Sequence, residues 1–251
     1  MGFFNLPIDS DKKYQDNKKR QMELDKRLAL RISWNLWGLY VCVSGLVESI
    51  LLPLPPHLIK GGDWQFLTNT SLLVTCLCMI CITCTSVVKV LRIKYGKFEE
   101  YVKNLENLCC NLEFIVTVTY WSIILFCPDM LNGKSFDVSW ILDLKIHLFP
   151  YIFLLIDVLL IRNNQDMNST DFAATFGFSV IFLGLYWSLI EINTSVLNKD
   201  GLTKFPYPFL NDSDFLHRTA WLFVFIGLGL INHVILYHSI RVTANTKRHL
   251  D

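Results

Sequence analysis

The sequence predicts an all-α, polytopic membrane protein with six transmembrane helices in one bundle. Three observations predict it. Mean hydropathy is +0.37 and 52% of the 251 residues are hydrophobic, too apolar for an ordinary soluble domain. Mainly apolar runs of about 18 residues or more, enough to cross a ~30 Å hydrocarbon core, recur along the chain. Lys and Arg collect on alternate connections between those runs, the asymmetry that sets orientation in a bilayer. The formal net charge is only +1, so nothing suggests a nucleic-acid partner.

The runs fall at about 32–54, 65–90, 109–127, 141–161, 172–192 and 215–239. They divide the chain into a cytoplasmic N-terminal tail (1–31), a transmembrane domain (32–240) and a cytoplasmic C-terminal tail (241–251). The first tail mixes bases such as Lys18, Lys19 and Arg31 with acids such as Asp16 and Glu23, and is expected to turn helical near Asn17. No cleavable signal is expected, because the first apolar run is of spanning length. Leu6 stands where myristoylation at Gly2 needs Ser or Thr. Lys89, Arg92, Lys94, Lys97 and Lys103 follow the second run, Arg162 the fourth, and Arg241, Lys247 and Arg248 the sixth. Both termini are therefore expected in the cytoplasm.

The first span carries Asn35 and Glu48, and Pro53, Pro55 and Pro56 end it. The second opens with Gly61-Gly62-Asp63-Trp64-Gln65-Phe66-Leu67-Thr68. Its glycines free the backbone, Asp63 is suited to cap a helix, and Trp64 suits a membrane surface. Thr68, Ser71, Thr75 and Cys78 recur at helical spacing and share a face. Cys78, Cys81 and Cys84 mimic a metal motif, but a helix in lipid cannot wrap them around one ion. Most of the eight cysteines lie in spans or on the inner side, which argues against a disulfide framework. Cys109 and Cys110, at the expected inner mouth of the third span beside Glu113, are candidate palmitoylation sites.

The fourth span holds Asp143, His147 and Asp157, the last ~15 Å from His147 along the axis and so out of its reach. The fifth ends at Glu191. Beyond it, Phe205-Pro206-Tyr207-Pro208-Phe209-Leu210 is rigid and aromatic enough to pack back on the bundle. Asn193-Thr-Ser and Asn211-Asp-Ser match the glycosylation pattern on the outer side, and Asn168-Ser-Thr matches it on the inner side. The sixth span opens with His217 and Arg218 and carries Asn232 and His233 deeper in.

Alternation of the helices brings Thr68, His147, Glu48, Glu191, His217 and Arg218 to one depth, where they can line a single cavity. Taken singly, Thr68 reads as a packing residue and His147 as an interhelical hydrogen-bonding one. Taken together they are a nucleophile and a base, because a threonine hydroxyl needs a partner to remove its proton. Asp143, one turn from His147, could orient the ring. Glu48 and Glu191 are alternatives at similar depth.

The Gly61–Thr68 segment resembles the Gly-Gly-x-Trp-x-Phe-Leu-Thr of the androgen-induced and androgen-dependent TFPI-regulating membrane protein family. The Leu142–His147 stretch with Asp157 ten residues on, and Tyr207-Pro208-Phe209-Leu210, are similar to further segments of that family; the likeness covers about 40–240. It implies a multipass hydrolase of fatty-acid esters of hydroxy fatty acids, with essential threonine and histidine roles falling on Thr68 and His147. It implies acyl transfer without metal or cofactor, on a lipid ester that enters from the bilayer. The family's proline stands five residues after the histidine. Here Pro150 is three residues on, so a differently shaped helix beside the base is expected. The competing class is a non-enzymatic membrane lipid-binding or carrier protein using the same cavity. The outer glycosylation patterns favour the endoplasmic reticulum.

Overall fold

Leu28, Arg31, Asn35, Cys42 and Leu46 recur at helical spacing and are all buried, forming one stripe along helix α1 (Ile8–Ile50). At 43 residues this helix is about 65 Å long, roughly twice a bilayer core. The stretch read as a tail is therefore mostly the first half of a continuous helix. It begins at Ile8 rather than near Asn17, and Arg31 is buried inside the bundle. The computed structural model describes residues 8–93, 97–127, 139–162, 169–196, 201–211 and 213–250. Gly2 and Leu6, the loop carrying Lys134, and Asn168 lie outside them.

The remaining helices are α2 (Leu67–Val90), α3 (Phe98–Phe126), α4 (Trp140–His147), α5 (Phe149–Ile156), α6 (Ser169–Glu191) and α7 (Phe215–Leu250). No strand occurs among the described residues. By length and composition five segments can cross a membrane: Leu67–Val90, Phe98–Phe126, Trp140–Ile161, Phe172–Ser195 and Phe215–Val242. The expected sixth is α1. Trp34, Asn35, Trp37, Tyr40 and Glu48 dilute its apolar half, yet it packs mainly on α2 and places Cys42 and Leu46 in the core. Gly45 permits its approach to α4, since a Cβ there would lie 2.9 Å from Ile146. The C-terminal stretch read as a tail continues α7 to Leu250.

Starting at Phe98, α3 begins well before the apolar run, so Glu113 and the paired cysteines lie in the middle of the bundle. Cys109 and Cys110 have no exposed surface, which removes them as palmitoylation candidates. Glu113 is buried against α2, where Thr75 donates to its Oε1 at 2.8 Å. The expected polar stripe of α2 therefore serves helix packing below Thr68.

At the end remote from the α2 N-terminus, a buried ionic cluster ties α1, α3 and the π-turn Asp157–Ile161 together. Arg31 donates from Nε to Asp157 Oδ2 at 2.8 Å and from Nη2 to Glu106 Oε2 at 3.0 Å. Arg162 donates to Glu106 Oε2 at 2.8 Å and to Asn107 Oδ1 at 3.0 Å, and Asn35 donates to Asp157 Oδ1 at 3.1 Å. Two guanidinium groups thus face two carboxylates, the arrangement that lets charge persist away from water. Nearer the middle, Asn232 donates to Asn111 at 3.0 Å, Tyr151 donates to Asn232 at 2.8 Å, and His233 contacts the Phe172 carbonyl at 2.9 Å. Both clusters hold helices in register and leave the opposite end of the bundle to form a cavity.

Candidate functional site

Thr68 is placed by a tight entry into α2. Gly62 adopts φ +65°, a conformation that favours glycine, and starts the short 3-10 turn Asp63–Gln65. Gln65 folds back so that its Nε2 donates to the carbonyls of Leu58 at 2.8 Å and Gly62 at 2.9 Å. A Cβ on Gly61 would stand 2.4 Å from the Gln65 Oε1, so a larger residue there would displace the Gln65 side chain from the turn. Asp63 does not cap α2 as expected: Phe66 occupies the N-cap position, with no side-chain cap. Tyr207 takes that role from the distant 201–211 segment. Its hydroxyl oxygen accepts the Leu67 N–H at 2.9 Å, at the residue that precedes Thr68. Tyr186 braces the turn by donating to the Gln65 carbonyl at 2.7 Å. Burial holds the Tyr207 phenol above its ordinary pKa, against the opposing pull of its polar neighbours, Tyr186 first among them.

His147 is the last residue of α4. The helix breaks at Leu148 (φ −134°, ψ −54°), because Pro150 has no N–H for the Ile146 carbonyl and its ring crowds that position. The altered proline spacing thus has a structural counterpart directly beside the histidine. The imidazole stacks on Tyr120, with centroids 3.4 Å apart and planes 6° apart. Tyr120 in turn donates to Asp143 Oδ1 at 2.6 Å, and that oxygen lies 3.7 Å from His147 Nδ1. His147 Nδ1 is buried and has no hydrogen-bond partner among the described residues.

Thr68 and His147 line one cavity of about 400 Å³, within the usual range for ligand sites. Its walls are mainly apolar, from Leu52, Leu58, Ile115, Val116, Ile123, Leu142 and Ile146, with Phe205 to Phe209 alongside. Of the candidate orienting and lining groups, Asp143 lines it and the others do not. Glu48 is ion-paired with Lys145 on the outside of α1 and α4. Glu191 binds Arg218 at 2.7 Å, and Arg218 also donates to the Ser213 carbonyl and covers the Phe205 ring at 4.5 Å. That pair secures the aromatic segment over the cavity. His217 is exposed and sits 2.8 Å from Asp214, whose pKa is lowered by hydrogen bonds from the His217 amide and ring.

Residues not singled out beforehand also line the cavity: Tyr120, His57, Asn69 and Thr119. Asn69 donates to the Asp63 carbonyl at 3.0 Å and accepts from Ser49 at 3.0 Å. Depth in the bundle was the available signal for Tyr120 and Thr119, and it does not distinguish them from neighbouring packing residues. The outer glycosylation patterns fall on working side chains. Asn211 accepts the Phe205 N–H at 2.8 Å and lines the cavity, and Asn193 packs against Gly61. Among the described residues, no group of three or more His, Cys, Asp or Glu could hold a metal ion.

The fold and this cavity define an all-α polytopic membrane protein with a mainly apolar chamber at one end of its bundle. The chain belongs to the FAR-17a/AIG1-like protein family, whose profile matches residues 32–242. It is similar to a UPF0641 membrane protein of Saccharomyces cerevisiae, 24% identical over 177 residues, covering 66% of this chain and 72% of that protein. A UPF0641 membrane protein of Schizosaccharomyces pombe is 34% identical over 110 residues, covering 39% of this chain and 43% of that protein. No solved structure matches the chain.

Proposed function

We propose that this protein is an integral membrane hydrolase that cleaves fatty-acid esters of hydroxy fatty acids, with Thr68 as nucleophile and His147 as general base. The observation that carries this reading is the shared cavity. A hydroxyl and an imidazole face the same apolar chamber, and Asp143 and Tyr120 back the imidazole. Apolar walls suit two acyl chains, and a lipid ester reaches such a site laterally from the bilayer.

The reaction is acyl transfer. Thr68 Oγ bonds to the ester carbonyl carbon as its proton passes to His147. The ester C–O bond then breaks, and the leaving hydroxy fatty acid takes that proton. Water attacks the acyl-threonine with His147 again accepting a proton, which returns to Thr68 Oγ as the second acid leaves. Asp143 stabilises the imidazolium formed in each half, and the Tyr120 stack fixes the ring plane. Asp143→Asn should therefore lower kcat by on the order of 10²-fold or more with little change in KM, the pattern of a group that orients a catalytic histidine. Steady-state kinetics on purified protein check this, and a kcat within threefold of the parent would remove Asp143 from the mechanism.

The reading extends to six spans, both termini in the cytoplasm and residence in the endoplasmic reticulum. A glycosylatable tag fused after Asp251 should remain unmodified, and its modification would invert the orientation. The decisive assay supplies an ester of a hydroxy fatty acid to the purified protein and follows release of both acids. Turnover supports the hydrolase. Saturable binding without turnover supports instead a lipid-binding or carrier protein, to which the same apolar walls are suited.

A further inference from the structure

Of the eight buried side-chain polar atoms that lack a hydrogen-bond partner among the described residues, two belong to residues lining the cavity: His147 Nδ1 and Thr119 Oγ1. The mechanism uses the first and leaves the second idle. Neighbouring polar groups of the wall are committed: Ser49 donates to Asn69, Asn69 to the Asp63 carbonyl, and Tyr120 to Asp143. A buried hydroxyl without a partner is uncommon in a folded protein, and in a cavity wall it points to a bound ligand.

Thr70, Thr83 and Thr219 donate back along their own helices, to the carbonyls of Phe66 at 3.1 Å, Met79 at 2.8 Å and Phe215 at 2.8 Å. Thr119 makes no such bond. Val116, Thr119, Tyr120 and Ile123 recur at helical spacing and all line the cavity, so Thr119 stands on the face of α3 that forms its wall. Its neighbour Tyr120 stacks on the His147 imidazole at 3.4 Å, which sets Thr119 at the depth of the base. Rotation about χ1 exchanges the hydroxyl and methyl positions of a threonine, so the hydroxyl reaches the chamber without backbone movement.

We propose that Thr119 is a substrate-binding residue whose hydroxyl donates a hydrogen bond to the ester carbonyl, an assignment that rests on the lipid-ester reading of the cavity. An ester linkage fits the observation, because between two acyl chains it presents acceptors and no donor. A carbonyl moved from water into a mainly apolar chamber weakens binding unless it recovers a hydrogen bond there. Thr119 supplies one without breaking an existing bond, since its hydroxyl has no partner in the protein. The same contact selects against ethers and hydrocarbons of equal length, which fill the chamber but leave the hydroxyl unpaired.

Two non-hydrolysable analogues of an ester of a hydroxy fatty acid test this on full-length protein in nanodiscs. A ketone keeps the carbonyl and replaces the bridging oxygen by CH2; an ether keeps the bridging oxygen and replaces the carbonyl by CH2. Both should compete with the ester, and the ketone should bind about 10-fold more tightly. Thr119→Val puts a methyl group of similar volume in place of the hydroxyl. It should weaken the ketone about 10-fold and leave ether affinity unchanged, while Thr119→Ser should keep the preference. Equal weakening of both analogues by Thr119→Val, or of neither, overturns the assignment. The melting temperature of unliganded Thr119→Val should be no lower than that of the parent, because only an unpaired hydroxyl is lost. A clear fall would show that the hydroxyl already serves the fold, and contradicts the proposal. Neither analogue is attacked, so Thr68→Ala should keep the ketone preference whether or not Thr68 is the nucleophile. Loss of the preference in Thr68→Ala but not in Thr119→Val assigns the donor to Thr68 and overturns Thr119 alone. Failure of both analogues to compete with the ester overturns the lipid-ester reading and Thr119 with it.

Discussion

Thr68→Ala should abolish ester hydrolysis while the protein still reaches its membrane at near-normal abundance. The substitution removes a hydroxyl and a methyl group from a half-buried position at the cavity wall. Its stability cost should be on the order of 1 kcal/mol, since side-chain hydrogen bonds between membrane helices average about 0.6 kcal/mol. His147→Ala should lose activity to a similar extent, although it also leaves the Tyr120 ring without its stacked partner. The double variant should be scarcely worse than either single one, because a nucleophile and its base fail together. Initial rates on purified protein test this. Multiplying losses in the double variant would mean that the two residues act independently.

Asp157→Ala should be among the most destabilising single changes in the chain. It leaves the buried Arg31 guanidinium dependent on Glu106, which is already shared with Arg162, and strips Asn35 of an acceptor. Breaking a buried ion pair from one side costs about 3–5 kcal/mol, because the remaining charge stays out of water without compensation. Replacing both partners, as Arg31→Met with Asp157→Leu, should cost less than Asp157→Ala alone, since no uncompensated guanidinium remains. Thermal unfolding of each variant in the same detergent checks the order. A double replacement worse than the single one would show that the cluster contributes through a geometry that apolar packing cannot replace.

These two predictions concern opposite ends of the bundle, and the sequence exposed them unequally. Depth grouped Thr68 and His147 with four residues that do not line the cavity, and it was the family resemblance that singled out the pair. The glycine pair before Thr68 was legible as a turn. The identity of its cap was not, because Tyr207 is 140 residues from Leu67 and local propensity favours Asp63. Arg31 and Arg162 were read as markers of orientation, although pairing with Glu106 and Asp157 draws both into the bundle. Charge counting on connections cannot reveal that, since it treats each base apart from its partners. The same limit applies to Glu191 and Arg218, which share a depth with the cavity but neutralise each other beside it.

The most direct test of the account is the site of covalent modification. Purified protein is treated with a long-chain fluorophosphonate, digested and mapped by mass spectrometry. The account predicts a single adduct on Thr68 that is absent from Thr68→Ala and strongly slowed in His147→Ala. Absence of any adduct from a protein that hydrolyses the ester, or an adduct on another residue that survives Thr68→Ala, would contradict it.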